Sequence, residues 1–140
     1  MDGVEITTGV TIPMREIRFR FARSGGPGGQ NVNKVESRVE LLFDVATSSA
    51  FTGTQRQRLL SALRNKLDDE GVLQLVVQES RSQWQNRELA LARLAETIRI
   101  GLIPRKKRVA TKPSRGSREE RFRTKKKRGE VKRNRGKIDD

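Results

Sequence analysis

Two stretches of the chain alternate apolar and polar residues with a period of two. Ile17, Phe19 and Phe21 alternate with Arg18 and Arg20, and Val39, Leu41, Phe43 and Val45 alternate with Arg38, Glu40 and Asp44. Half-buried strands have this pattern, so both stretches read as antiparallel sheet strands. The period then lengthens. Leu59, Leu60, Leu63 and Leu67 fall on one helical face behind Thr54 and Gln57, which have capping-box spacing, and predict a helix over about 54–69. Residues 72–78 are a third, more apolar strand. Ser82 and Gln85 repeat the capping spacing ahead of Leu91, Leu94, Ala95 and Ile98, which predicts a second helix ending near Gly101, with Pro104 just beyond. The expected architecture is α+β: a small mixed or antiparallel sheet with two packed helices.

The apolar pattern stops near Ile103, and the charge changes at the same place. Residues 1–104 hold 14 Lys/Arg against 12 Asp/Glu, a net of +2, whereas residues 105–140 hold 17 against 5, a net of +12. Val109, Ala110, Phe122, Val131 and Ile138 are too few apolar groups to offset the ordering entropy of that second segment. The chain therefore reads as a globular domain, 1–104, followed by a basic tail, 105–140, that is disordered when free. A net charge of +14 over 140 residues points to a polyanionic partner, most commonly nucleic acid.

Composition narrows the chemistry. There is no Cys and no His, so a disulfide framework, a thiolate zinc site and imidazole general-base catalysis are all excluded. Neither a metal nor a cofactor is implied. No apolar run reaches the length of a membrane span, and the Met1-Asp2-Gly3 start lacks the basic-then-apolar layout of a secretion signal, so a cytoplasmic protein is expected. A processed organelle protein would look the same.

Between the first two strands lies Ser24-Gly25-Gly26-Pro27-Gly28-Gly29-Gln30-Asn31-Val32-Asn33-Lys34. This segment is too glycine-rich for a regular strand or helix and long for a hairpin turn. Glycine lets another backbone approach closely, so the loop can present bare amide N–H groups and the Gln30 side chain to a ligand. A phosphate-binding Walker loop would need Lys and Ser/Thr directly after the last glycine, where Gln30 and Asn31 stand. From composition alone, an inert glycine linker fits equally well.

Gly28-Gly29-Gln30, continued through Asn31-Val32-Asn33-Lys34-Val35, resembles the catalytic loop of peptide-chain release factors. The resemblance extends to Ser37-Arg38-Val39-Glu40-Leu41, to Arg81-Ser82-Gln83 and to Asn86-Arg87-Glu88. With the basic tail, the whole is similar to the ArfB-type stand-alone rescue hydrolases that act on peptidyl-tRNA. That resemblance implies a release-factor-like catalytic domain and codon-independent hydrolysis of the peptidyl-tRNA ester on stalled ribosomes, with Gly28, Gly29 and Gln30 as catalytic residues. It also implies that the tail probes the small-subunit mRNA channel and that a glutamine methyltransferase acts on Gln30. The expected partners are the ribosome, including the peptidyl-transferase centre of its large subunit, and peptidyl-tRNA, bound by a monomer. Two other readings stand beside it: a non-catalytic ribosome or rRNA binder, and a related factor acting on detached large subunits.

Ser24, Asn31, Asn33 and Lys34 carry groups suited to phosphate or ribose contacts beside the loop. For the two Asn, a purely structural role in the loop fits nearly as well. Arg18, Arg20, Arg23 and Arg38 could line the same RNA-facing side, but charges on solvated strand faces are common and they are left out of the site; Glu40 belongs to the polar face of a strand and Glu36 to its approach, rather than forming a catalytic pair. In the tail, Arg118, Arg121, Lys125, Arg128, Lys132 and Arg135 recur at spacings of three and four, so a helix formed on RNA would align them. Basic residues are so dense there that many registers score well, and the resemblance rather than the period selects these six together with Lys137. A nonspecific nucleic-acid arm or a nuclear localisation signal would satisfy the same runs.

Overall fold

In a computed structural model of the chain, residues 2–23 and 36–136 are described. The fold is α+β, and the contacts group into two units, Met1–Arg105 and Lys106–Asp140. The first unit opens with a hairpin of β1 (Gly3–Thr7) and β2 (Val10–Pro13), turned at Gly9 with φ of 88°. A positive φ of that size favours glycine, which carries no Cβ to clash with the backbone. This hairpin was not predicted, although Val4, Ile6, Val10 and Ile12 share the period-two spacing of the other strands. Ile6, Val10 and Ile12 are buried in the core.

A three-stranded antiparallel sheet follows, in the order β3 (Ile17–Ala22), β4 (Arg38–Asp44), β5 (Val72–Val77). The register runs from Ile17 opposite Phe43 to Ala22 opposite Arg38, with Val39 opposite Val77 on the far side. Val39, Leu41, Phe43 and Val45 all turn to one face and are fully buried, as their alternation required. Helices α1 (Gly53–Ala62) and α2 (Gln83–Leu102) pack on each other, and α2 lies against β1, β4 and β5. From α2, Asn86, Ala90, Leu94 and Ile98, four residues apart, form the fully buried stripe.

Helix α1 differs from its prediction at both ends. Thr52 and Gln55 form the capping box, rather than Thr54 and Gln57, and both reciprocal hydrogen bonds are made. The sequence holds the same Thr-x-x-Gln spacing twice, two residues apart. Phe51, buried with its edge against Phe43, sets where the chain enters the helix. At the other end the helix stops at Ala62, not near residue 69. The Asp68 carboxylate accepts hydrogen bonds from the N–H groups of Glu70 and Val72, and Gly71 at φ 84° turns the chain into β5. A Cβ on Gly71 would stand 2.8 Å from that of Ala46, so the turn is closely packed as well as left-handed.

Two hydrogen-bonded clusters tie loops to this core. The Glu16 carboxylate accepts from the Ser48 hydroxyl at 2.5 Å and from the Ser49 hydroxyl and N–H at 2.5 and 3.1 Å. Burial pushes the Glu16 carboxyl up, but those hydrogen bonds and the nearby Arg15 charge outweigh it and hold the group below its usual range. The Arg58 guanidinium donates to the Leu102 carbonyl at 3.1 Å and caps the end of α2.

The second unit contains α3 (Arg115–Arg135), capped by the Ser114 hydroxyl, which accepts from the Ser117 N–H. Arg115–Arg135 is one continuous helix. Pairs one turn apart support it, Arg115 with Glu119 at 3.0 Å and Glu120 with Arg123 at 3.5 Å, and Lys, Arg and Glu are all good helix formers. None of its residues is buried.

Candidate functional site

The glycine segment connects β3 to β4 in the chain. Ala22 opposite Arg38 is the last register pair before it, so residues 23–37 leave and re-enter the sheet at one point. Ser24, Gly28, Gly29, Gln30, Asn31, Asn33 and Lys34 lie outside the described residues, as does Lys137 of the tail. The structure does describe how the root of the loop is held.

Asn86 is the centre of that root. It lies on the buried stripe of α2 at 0% exposure, and its amide nitrogen donates to the Ser37 carbonyl at 2.7 Å and the Ser80 carbonyl at 2.8 Å. Its amide oxygen accepts from the Ser80 N–H at 2.9 Å. One side chain thus joins the start of β4 to the β5–α2 connection through three hydrogen bonds inside the core. Gln83, one turn earlier, donates to the Glu36 carbonyl at 2.7 Å. The capping hydroxyl of Ser82, accepting from the Gln85 N–H, sets the register of this turn. The carbonyls of Glu36 and Ser37 are therefore both clamped by the first turn of α2.

The other side of the root is aromatic. Phe19 and Phe21 on β3 stack with centroids 6.3 Å apart, and the Arg87 guanidinium sits 4.8 Å from the Phe19 centroid. The outward side of the sheet carries the charges. Arg38 pairs with Glu40 at 2.9 Å, while Arg18, Arg20 and Arg23 are exposed. Glu40 is thus a strand-face carboxylate engaged by its neighbour.

Asn86 and Gln83 belong to the motifs read from the sequence, but their part in anchoring the loop was missed. A signal was present. Asn86 stands four residues before Ala90 and eight before Leu94, so a strong hydrogen-bond former falls on the apolar stripe, where its polar groups need partners.

On α3, Arg118, Arg121, Lys125, Arg128, Lys132 and Arg135 fall within an arc of roughly 100° at 3.6 residues per turn. Glu119, Glu120 and Glu130 all lie outside that arc. The sequence period alone could not single out this stripe among so many basic residues, but its freedom from carboxylates does. Phe122 stands exposed at its border, beside Arg118 and Lys125.

Among the described residues no helix is long and apolar enough to cross a membrane, and no group of three or more His, Cys, Asp or Glu is placed to hold a metal. The model of the RF-1 domain matches residues 4–140. The chain belongs to the RF-1 domain family. Within that family it is 44% identical over 134 residues to the peptidyl-tRNA hydrolase ArfB of Pseudomonas putida, which covers 96% of this chain and 97% of that protein. The mouse large ribosomal subunit protein mL62 is 36% identical over 87 residues, 62% of this chain and 42% of its own length. Peptide chain release factor 1 of Parabacteroides distasonis is 37% identical over 89 residues, which make up 20% of that factor. The likeness to the first relative therefore extends through the tail, whereas the other two share only part of their length with this chain.

Proposed function

We propose that this chain is a ribosome-dependent esterase that hydrolyses peptidyl-tRNA on stalled ribosomes without reading a codon. The observation that carries this reading is the likeness to the Pseudomonas putida peptidyl-tRNA hydrolase over nearly the full length of both proteins, glycine loop and basic tail included. In the reaction, water attacks the ester carbonyl carbon, the bond to the terminal ribose oxygen breaks, and the peptide leaves as a carboxylic acid. Negative charge develops on the carbonyl oxygen in the transition state.

The Gln30 backbone N–H is the donor for that charge, reached through the turn that Gly28 and Gly29 permit, and its side chain admits water in preference to larger nucleophiles. The chain has no His or Cys to move protons, so the tRNA ribose and ribosomal RNA handle them while the protein positions and stabilises. The clamps from Asn86 and Gln83 on the loop root give the positioning a rigid origin.

Residues 1–104 act at the large-subunit peptidyl-transferase centre, with Ser24, Asn31, Asn33 and Lys34 on flanking RNA. Residues 105–140 enter the small-subunit mRNA channel, where Arg118, Arg121, Lys125, Arg128, Lys132, Arg135 and Lys137 meet phosphates. Because α3 buries nothing of its own, its helix is the form stabilised by a polyanion. The protein works as a cytoplasmic, ribosome-associated monomer, and a glutamine methyltransferase modifies Gln30.

The test is release of labelled peptide from ribosomes stalled on messenger lacking a stop codon, comparing the parent with Gly29→Ala. Release by the parent alone establishes a hydrolase working through the loop. If both proteins sediment with ribosomes and neither releases peptide, the chain is a non-catalytic ribosome binder. Equal release by both would move the chemistry away from the loop.

A further inference from the structure

The chain has only six aromatic residues, five Phe and one Trp. Phe43 and Phe51 fill the core, and Phe19 is half-buried under Arg87. The other three, Phe21, Trp84 and Phe122, are exposed. Two of them lie at the loop end of the first unit. Phe21, 40% exposed, is one register pair from the end of the β3–β4 hairpin, and Trp84, 67% exposed, follows directly on Gln83, which holds the Glu36 carbonyl.

Nothing in the fold calls for Trp84 where it is. A tryptophan in the exposed first turn of a helix adds neither cap nor core, and its large apolar face stands in water at some cost. Its surroundings suit an RNA partner. Arg81 and Arg87 stand three residues before and after it in the chain, and the Arg87 guanidinium sits over the Phe19 ring of the same root. A flat exposed ring with cationic residues near it in the chain, next to the side chain that holds the Glu36 carbonyl, has the chemistry of a nucleobase-stacking contact.

We propose that Trp84 stacks on an unpaired nucleobase of large-subunit ribosomal RNA and thereby seats the root of the glycine loop. The contact rests on the reading that this loop works at the peptidyl-transferase centre. It adds a specific anchor on the catalytic unit, separate from the tail. Asn86 and Gln83 hold Ser37 and Glu36 to α2, and Trp84 fixes the same turn of α2 to RNA.

Trp84 is the sole tryptophan, so indole emission of the full-length chain reports on this position alone. Titration with isolated large subunits, free of tRNA, should quench the emission and shield it from iodide. An oligoadenylate should also quench it, and an abasic oligomer of equal length and charge should not. Trp84→Ala should raise the half-saturating concentration for large subunits at least about 5-fold, the ratio matching about 1 kcal/mol at the low end of base stacking, and Trp84→Phe should recover most of that.

The proposal is overturned if emission stays unchanged while the parent binds large subunits, or if the abasic oligomer quenches as well as the oligoadenylate. Quenching that appears only once tRNA is present would transfer the contact to tRNA and overturn it equally. Iodide protection already present in the free chain would mean that the tail or a second copy covers the ring. If the parent quenches on large subunits yet releases no peptide, the stacking contact stands and the esterase reading falls.

Discussion

The two units of this chain reach order by opposite means. In the first, sixteen apolar residues among those described form one buried core, and even the polar Asn86 is sunk in it with each of its amide atoms hydrogen-bonded. In the second, a 21-residue helix buries nothing and is held by its cap, its i,i+3 and i,i+4 ion pairs and backbone propensity. Burial gives a fold that holds the Glu36 and Ser37 carbonyls by hydrogen bonds from its own helix. A bare cationic helix is marginal in water and gains its stability from whatever neutralises its charge. One unit is thus ordered by burial and the other by charge and local propensity.

The sharpest way to break this comparison is at the loop. Gly29→Ala should lower peptide release at least about 100-fold, the scale of losing a transition-state hydrogen-bond donor, while leaving ribosome sedimentation and the thermal midpoint nearly unchanged. Removing residues 105–140 should also abolish release on stalled ribosomes, yet the remaining domain should melt cooperatively by circular dichroism. A truncated chain without a cooperative transition would show that the core depends on the tail.

Asn86→Ala should cost roughly 1–3 kcal/mol of stability for each buried backbone group left without a partner, read from denaturant midpoints. It should lower release further than this loss of folded protein explains, because the Ser37 carbonyl is no longer clamped. Release falling only in step with the folded fraction would reduce Asn86 to a core residue.

In the tail, replacing Arg121, Lys125 and Arg128 by Gln should reduce the salt dependence of RNA binding by a slope of about 2, at about 0.7 per phosphate contact on single strands. The same change at Arg123, Lys126 and Lys127, on the side that carries the Glu residues, should reduce it by much less. Equal slopes would mean that charge density rather than the stripe governs binding. Helicity followed by circular dichroism should rise when RNA is added to the parent.

The smallest effect concerns pH. Glu16 is held below its ordinary value of 4.5, so its stabilisation is fully present above that pH and is lost as pH falls through the lower folded-state value. Glu16→Gln should therefore melt earlier than the parent near neutrality, with the gap in Tm closing as the pH drops below 4.5. A gap that is constant with pH would assign the effect to packing.

Much of this was open to a reader of the sequence. Strands β3 and β4 alternate strictly because one face meets the core and the other meets water, and a period of two survives any choice of neighbours. The basic tail was legible because charge needs no fold to be counted. The α1 boundaries were not, since Thr52-x-x-Gln55 and Thr54-x-x-Gln57 are equal as local signals. Only Phe51 docking on Phe43 separates them, and the Asp68–Gly71 turn, not a change in periodicity, ends the helical segment.

By itself, then, the order of residues determined the α+β class and the charge division, because period and charge are local properties. The tertiary structure alone decided that Asn86 and Gln83 hold Ser37 and Glu36, residues 49 and 47 positions away. It alone left Trp84 bare beside that junction. Both depend on which surfaces meet when α2 closes over the sheet, and such pairings between distant segments are set by packing the whole core at once.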